Sequence, residues 1–335
     1  MSNSQSPKHL FCVAPMMDWT DRHCRAFHRV LTKHALLYTE MITAAAIRFG
    51  KRDKLLAFSD FERPVALQLG GSDPSELALA ARLGEEFGYV EINLNCGCPS
   101  ERVQEGRFGA CLMAEPNHVG DCVAAMRDAV KIPVTVKCRI GVDDQPESEP
   151  LDYFVDAVAR AGCRTFVVHA RKAWLKGLSP RANRDVPPLN YERVYRLKRD
   201  HPSLEIVING GIRSLAEAED HLRHVDGVML GRAAYEQPYL LIDVDRRFFG
   251  NKDVPPRSRE DVIAEYLPYI QREIAAGARL AEISRHMLGL YHGQYGGSRF
   301  RRALSENMHR PDAAASLLER ALSTTVPPRQ LIAAE

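Results

Sequence analysis

The sequence predicts an α/β protein, a (β/α)8 TIM barrel followed by a C-terminal all-helical domain, and three observations carry that expectation. Short β-rich runs recur eight times along the first 235 residues. Segments with helical starts lie between them, and strand signals stop after Phe249.

The runs are Leu10–Ala14, Ala35–Thr39, Pro64–Leu69, Tyr89–Leu94, Pro133–Cys138, Cys163–Val168, Leu204–Ile208 and Asp226–Leu230. Several are continuous Val/Ile/Leu-type stretches, as parallel strands buried on both faces require. Between them, Ser72-Asp73-Pro74-Ser75-Glu76 supplies an N-cap, an early proline and an acidic first turn before the apolar pattern of Leu77 to Phe87. Ser214-Leu215-Ala216-Glu217 has the form of a capping box. Alternating strands and helices make βαβ units, and eight of these close most naturally into a barrel. The open doubly wound sheet is the structural alternative, but no early G-x-G-x-x-G supports it.

Gly250-Asn251-Lys252-Asp253-Val254-Pro255-Pro256 reads as a turn-rich linker. Beyond it, Glu260–Ala276, Leu280–Leu290, Phe300–Met308 and Ala313–Leu322 read as helices. The expected organisation is therefore a barrel over residues 1–249 and a helical domain over 250–335, the latter small enough that independent stability is doubtful on size alone.

Composition excludes several classes. Of 335 residues, 45% are hydrophobic and 26% charged, ordinary values for a globular protein with a sizeable core. The longest apolar runs, such as Ala44-Ala45-Ala46-Ile47, are far too short to cross a bilayer, so no membrane association is expected. Residues Met1 to Lys8 are polar and unlike a signal peptide. Cys12, Cys138 and Cys163 sit in strand-like runs, where cysteine packs as a small hydrophobe. Cys96 and Cys98 form C-x-C, without a second pair at zinc-ligand spacing, so neither metal nor disulfide is expected. A cytoplasmic location follows as the expectation. Nothing in the sequence implies an obligatory protein partner.

Net charge is only +2, so global basicity announces no polyanion. Locally, residues 164–184 hold Arg164, Arg171, Lys172, Lys176, Arg181 and Arg184 with no acidic residue among them, and Arg299, Arg301 and Arg302 form a second cluster. Such runs serve either as solvated faces or as footprints of a nucleic acid.

Barrel enzymes place their chemistry at the C-terminal ends of the strands. Those ends carry Pro15-Met16-Met17, Gln68, Asn93-Leu94-Asn95-Cys96-Gly97-Cys98-Pro99, Lys137 and Arg139, His169-Ala170-Arg171, Asn209-Gly210-Gly211 and Gly231-Arg232. Glycines after strands seven and eight suit either tight βα turns or close backbone approach to a phosphate, to which Arg232 adds a bidentate fork. A lysine at Lys137 is expensive to bury without an anionic partner. Three roles suit it: a Schiff-base amine, a structural ion pair, or the charge that stabilises a reduced, anionic flavin. Gln68 and His169 offer polar edges to a heterocycle, and a flavin with its phosphate satisfies the whole set.

The set closely resembles the tRNA-dihydrouridine synthase family. Its most specific element is Glu91-Ile92-Asn93-Leu94-Asn95-Cys96-Gly97-Cys98-Pro99-Ser100, joined by Pro15-Met16-Met17, Val134–Lys137, Val167–Arg171, Asn209-Gly210-Gly211 and Gly231-Arg232. Ala182-Asn183-Arg184-Asp185-Val186-Pro187-Pro188 and Arg299-Phe300-Arg301-Arg302 look like the A subfamily.

The resemblance implies a flavin-dependent oxidoreductase that reduces uridine in the tRNA D-loop at position 20, and often 20a, to 5,6-dihydrouridine. It implies FMN bound by Pro15, Met16, Met17, Gln68, Lys137, His169, Asn209, Gly210, Gly211, Gly231 and Arg232 in the barrel, with NADPH as reductant. By the same resemblance, hydride passes from reduced FMN to C6 of the base, and Cys98 donates the proton to C5. A thiol in water, with a pKa of about 8.5, is mostly protonated at neutral pH yet acidic enough to donate. Asn95, Arg181, Arg184, Arg299 and Arg302 are implied RNA contacts, with the helical domain binding tRNA. Cys96 departs from the pattern, where a non-thiol residue is expected. Two other readings compete: a flavin barrel acting on a free pyrimidine, and an RNA-binding barrel without catalysis. The two basic clusters favour RNA over a free base, and bound flavin would exclude the non-catalytic reading.

Overall fold

The computed structural model describes residues 9–146, 149–250, 255 and 257–325. The polar start Met1–Lys8, most of the linker after Gly250 and the tail beyond Thr325 lie outside them. By contacts the chain divides into two units, one of residues up to Asp18 with Ala35–Gly231, the other of Trp19–His34 with the chain from Arg232 on.

All eight expected strands form in the first unit. In chain order they are β1 (Phe11–Val13), β2 (Leu36–Tyr38), β4 (Val65–Gly70), β5 (Glu91–Cys96), β6 (Val134–Arg139), β7 (Thr165–His169), β8 (Glu205–Asn209) and β9 (Gly227–Leu230), with a two-residue strand β3 (Ile42–Thr43) beside β4. Every ladder is parallel. Pairing of β1 with β9 and of β2 with β4 closes the ring, so the sheet is an eight-stranded barrel, and the TIM-barrel expectation holds.

Alternation along the strands sorts side chains between the barrel interior and the surrounding helices. Cys12, Ala14, Leu36, Tyr38, Ala66, Val167, Val207 and Met229 pack together inside. On β5 the inward set is Glu91, Asn93 and Asn95, while Ile92, Leu94 and Cys96 take the alternate face. The interior is thus apolar around that cluster and polar along β5.

The N-terminal ends of the strands hold a buried ionic cluster that the sequence reading did not anticipate. His9 lies between Glu91 (2.5 Å) and Glu205 (2.9 Å). Tyr38 and Thr135 donate hydroxyl hydrogen bonds to Glu91 at 2.8 and 2.6 Å, and Thr165 donates to Glu205 at 2.8 Å. Burial opposes a charge on His9, yet the two carboxylates overcome it and raise the imidazole to about 10. Glu91 is fully buried and tolerable there because three donors satisfy it.

The second unit is helical. Its longest helices are Arg259–Ala275, Gly297–Asn307 and Arg22–Leu31. Helical segments accordingly occupy each stretch read as helical beyond the linker. The contact division does not fall at the expected 249/250 boundary, and the reason is visible in the first helix. Tyr266 donates to the His23 carbonyl at 2.9 Å, and Tyr269 bonds the His23 ring at 2.8 Å. Asp21 caps that helix and pairs with Arg285 (2.6 Å) and His286 (3.0 Å). The helix that follows β1 therefore shares a core with the C-terminal helices, as do Arg232–Phe248. Among the described residues no helix is long and apolar enough to cross a membrane.

Candidate active site

The C-terminal ends of the strands gather most of the residues singled out from the sequence. Gln68 on β4, Lys137 on β6, His169 on β7 and Asn209 on β8 all fall in the inward register. Gln68 is almost wholly buried. Its amide donates to Asn93 Oδ1 at 2.8 Å and accepts from Asn95 Nδ2 at 2.9 Å. Lys137 donates to Asn209 Oδ1 at 3.3 Å, and Asn209 donates in turn to the Met229 carbonyl at 2.7 Å.

The Cys98 loop is held from three sides. Asn95 Oδ1 accepts from the backbone N–H of Gly97 (3.1 Å) and of Cys98 (3.0 Å), closing a turn on the end of β5. Arg139, buried and not assigned a role from sequence, donates Nε to the Gly97 carbonyl at 3.1 Å. The Cys98 carbonyl accepts from Ala110 at 2.9 Å. That last contact needs Gly109, at φ +77°, where a Cβ would lie 2.5 Å from the Cys98 oxygen. The Cys98 thiol is half-buried, 3.6 Å from the Ser100 hydroxyl. Cys96 is fully buried on the opposite face of β5, and burial pushes its thiol well above the usual range.

The mouth is electropositive. Burial first, and then the charge of Arg139, bring Lys137 down to about 8. Burial brings Arg139 down to about 10, so both stay largely charged at neutral pH. Burial and the same cations keep His169 well below its usual value, hence neutral. Among the described residues neither Lys137 nor Arg139 has a carboxylate partner; their hydrogen bonds go to neutral oxygens. Two enclosed cations without an anion make a site that fits a negatively charged ligand.

The glycine loops are shaped for close approach. Gly210 has φ +115°, and a Cβ there would lie 2.6 Å from the His169 ring, so this position admits glycine alone. Tyr191, a residue the sequence reading missed, donates to the Gly210 carbonyl at 2.8 Å. Gly211 follows, also at positive φ. In the same unit Gly231 lies beside Met16, whose sulfur would be 3.7 Å from an added Cβ. Pro15 is half-buried and Met17 exposed. Arg232 opens the helix Arg232–Glu236 of the second unit.

The structure splits the basic stretch into two kinds of residue. Arg171 donates to the carbonyls of Asp185 and Pro187, and Lys172 donates to that of Gln145, so both fasten loops. Asn183 braces the same segment, bonding the backbone of Trp174 in both directions. Arg181 and Arg184 are exposed. Arg299 and Arg302 are exposed on the helix Gly297–Asn307, Arg299 lying over the Tyr295 ring at 4.8 Å. Asn95, by contrast, is nearly buried, its carboxamide tied to the Cys98 loop and Gln68.

The family model described as "Dihydrouridine synthase (Dus)" matches residues 12–326. The chain belongs to the dihydrouridine synthase family. Within the family, it is 58% identical over 324 residues to the tRNA-dihydrouridine(20/20a) synthase of Yersinia pestis, covering 96% of this chain and 93% of that one. Its identity to the protein of the same name from Vibrio vulnificus is 57% over 312 residues, 93% of this chain and 95% of the relative. Among solved structures, a 2-naphthoyl-CoA reductase complex superposes with a TM-score of 0.56 over 70% of this chain and 50% of that one. At 8% identity that likeness speaks to the barrel fold alone.

Proposed function

We propose that this dihydrouridine synthase reduces uridine to dihydrouridine in the D-loop of tRNA, at position 20 and also 20a, using bound FMN and NADPH. The observation that carries the reading is the site itself: a thiol on a braced loop, in the same barrel mouth as two enclosed cations that lack an anion. Relatives named tRNA-dihydrouridine(20/20a) synthases support the choice of base and position.

Bound FMN would supply the hydride for C6 of the uracil. Gln68, His169 and Asn209 would meet the edges of its ring system, with Pro15, Met16 and Met17 beside it. Gly210, Gly211, Gly231 and Arg232 would hold its phosphate. Lys137 would place positive charge where the reduced ring is anionic. Cys98 would hold the proton that C5 must receive as negative charge develops there. Such chemistry requires the uracil to leave the base stack. Arg181, Arg184, Arg299 and Arg302 would hold phosphates around the extruded nucleotide, the last two from the helical region, while Asn95 would present its second amide N–H to the base. Activity in the cytoplasm suits this substrate.

The test is direct. Purified protein should show the two-band flavin spectrum, and tRNA from a deletion strain should lack dihydrouridine at 20 and 20a until the gene is restored. A colourless protein with unaltered tRNA would overturn the reading.

Lys137 gives the site a pH signature. A lysine at about 8 is charged below that pH and neutral above it. If FMN binds the charged form, binding is coupled to proton uptake above pH 8, and Kd should rise by up to about tenfold per pH unit there. Fluorescence titration of apoprotein between pH 7 and 9.5 measures this. Lys137→Ala should bind FMN more weakly with a flat profile, and should slow flavin reduction by NADPH. A wild-type profile in the variant would remove Lys137 from the cofactor's surroundings.

A further inference from the structure

The braced Cys98 loop is one end of a hydrogen-bond chain that crosses the barrel interior. It starts at the backbone N–H groups of Gly97 and Cys98, which donate to Asn95 Oδ1 at 3.1 and 3.0 Å. Asn95 Nδ2 donates to Gln68 Oε1 (2.9 Å), and Gln68 Nε2 donates to Asn93 Oδ1 (2.8 Å). Asn93 Nδ2 donates to Thr135 Oγ1 (2.8 Å), and the Thr135 hydroxyl donates to Glu91 Oε1 (2.6 Å). All five side chains are at most 9% exposed, so water cannot readily substitute for a missing partner.

The two ends decide the orientation of everything between them. A backbone N–H can only donate, and a carboxylate can only accept. Reversing one carboxamide would set donor against donor and acceptor against acceptor at its neighbours. Reversing all three would leave Asn95 Nδ2 facing two N–H groups and strand the Thr135 hydroxyl between Asn93 and Glu91. Each carboxamide therefore has a single orientation. The charge that fixes it sits among His9, Tyr38 and Thr135 at the opposite end of the strands.

The geometry points to Thr135, backed by Glu91, as a positioning residue for Cys98: its hydroxyl fixes the direction of the Asn93–Gln68–Asn95 chain and so keeps the Asn95 carbonyl on the Cys98 turn. The catalytic consequence rests on the reading of Cys98 as proton donor; the structural consequence does not. Without the hydroxyl, the Asn93 amide loses its acceptor, and only the Gly97 and Cys98 N–H groups still hold the three carboxamides in this direction. Inversion becomes less costly, and whenever it occurs the turn loses the acceptor of both its N–H groups, leaving the Cys98 loop to the contacts from Arg139 and Ala110.

Glu91 supplies its own control. Tyr38 donates to the same carboxylate oxygen as Thr135 but stands outside the chain. Thr135→Val and Tyr38→Phe each delete one buried hydroxyl donor to Glu91 Oε1, and only the first breaks the relay. Hydrogen–deuterium exchange at the Gly97 and Cys98 amides should quicken about tenfold or more in Thr135→Val, while Tyr38→Phe and Thr135→Ser stay near wild type. In dihydrouridine formation, Thr135→Val should lower kcat about tenfold or more with KM for tRNA within about twofold, since a misplaced acid costs chemistry rather than binding. Should Thr135→Val not fold, Asn93→Leu interrupts the chain one link nearer Cys98 and is compared with Tyr38→Phe in the same way. Equal amide exchange in the broken-chain and Tyr38→Phe proteins would overturn the inference. A wild-type protein that forms no dihydrouridine would instead defeat the functional reading, leaving the exchange result to stand on its own.

Discussion

Replacing Cys98 with alanine is expected to cut dihydrouridine formation by about 10²- to 10⁴-fold, the usual worth of a positioned general acid. FMN should remain bound, because the residues that would hold it lie on other strands and loops. NADPH should still reduce it, because that half-reaction requires no proton at C5. Reduced flavin should therefore persist with tRNA under anaerobic conditions, where the wild-type protein would be reoxidised. Cys96→Ala is the matched control. Cys96 is fully buried on the alternate face of β5, and burial suppresses its ionisation, so it should be near wild type. An inactive Cys96→Ala beside an active Cys98→Ala would reverse the assignment. Two active variants would move the proton source to water or another side chain.

The sequence made most of the barrel legible because its signals are local. Continuous β-branched runs mark strands buried on both faces, and N-cap residues mark the helices between them. The helix Arg22–Leu31 was harder. Its position after β1 gives it a place in the βα rhythm, but its shared core with Arg259–Ala275 comes from contacts hundreds of residues apart, such as Tyr266 with His23. At the site, Gln68, Lys137, His169 and Asn209 could be read because each interrupts an apolar strand near its C-terminal end. Arg139 stands on the same strand as Lys137, yet its role depends on carbonyls of Gly97, Lys172 and Asn183 that only folding brings near. Glu91 lay inside the run Tyr89–Leu94, but its partners His9, Tyr38 and Thr135 come from three other segments. The alternation of Glu91, Asn93 and Asn95 on one strand face is a further sequence signal for the polar interior. In the basic stretch, composition could not separate Arg171 and Lys172, spent on backbone carbonyls, from the exposed Arg181 and Arg184.

That separation sharpens the expectation for RNA binding. Replacing Arg181, Arg184, Arg299 and Arg302 together with alanine should flatten the salt dependence of tRNA affinity. Each phosphate contact contributes about 0.7 to 0.9 to the slope of log affinity against log salt, so losing four should change it by roughly 3 units. Affinity should fall most at low salt, where counterion release favours binding most, and converge with wild type as salt rises. All four are exposed, so the barrel core and its FMN content should be unaffected. Replacing Arg171 and Lys172 is the informative contrast. Their donors hold the carbonyls of Asp185, Pro187 and Gln145, so their loss should loosen the loops that carry Arg181 and Arg184. The expected signature is a lower melting temperature and faster proteolysis within residues 171–190, with a slope change smaller than for the exposed four. An unaltered slope in the fourfold variant would make these arginines a solvated surface, and the search for the RNA footprint would move to other basic residues.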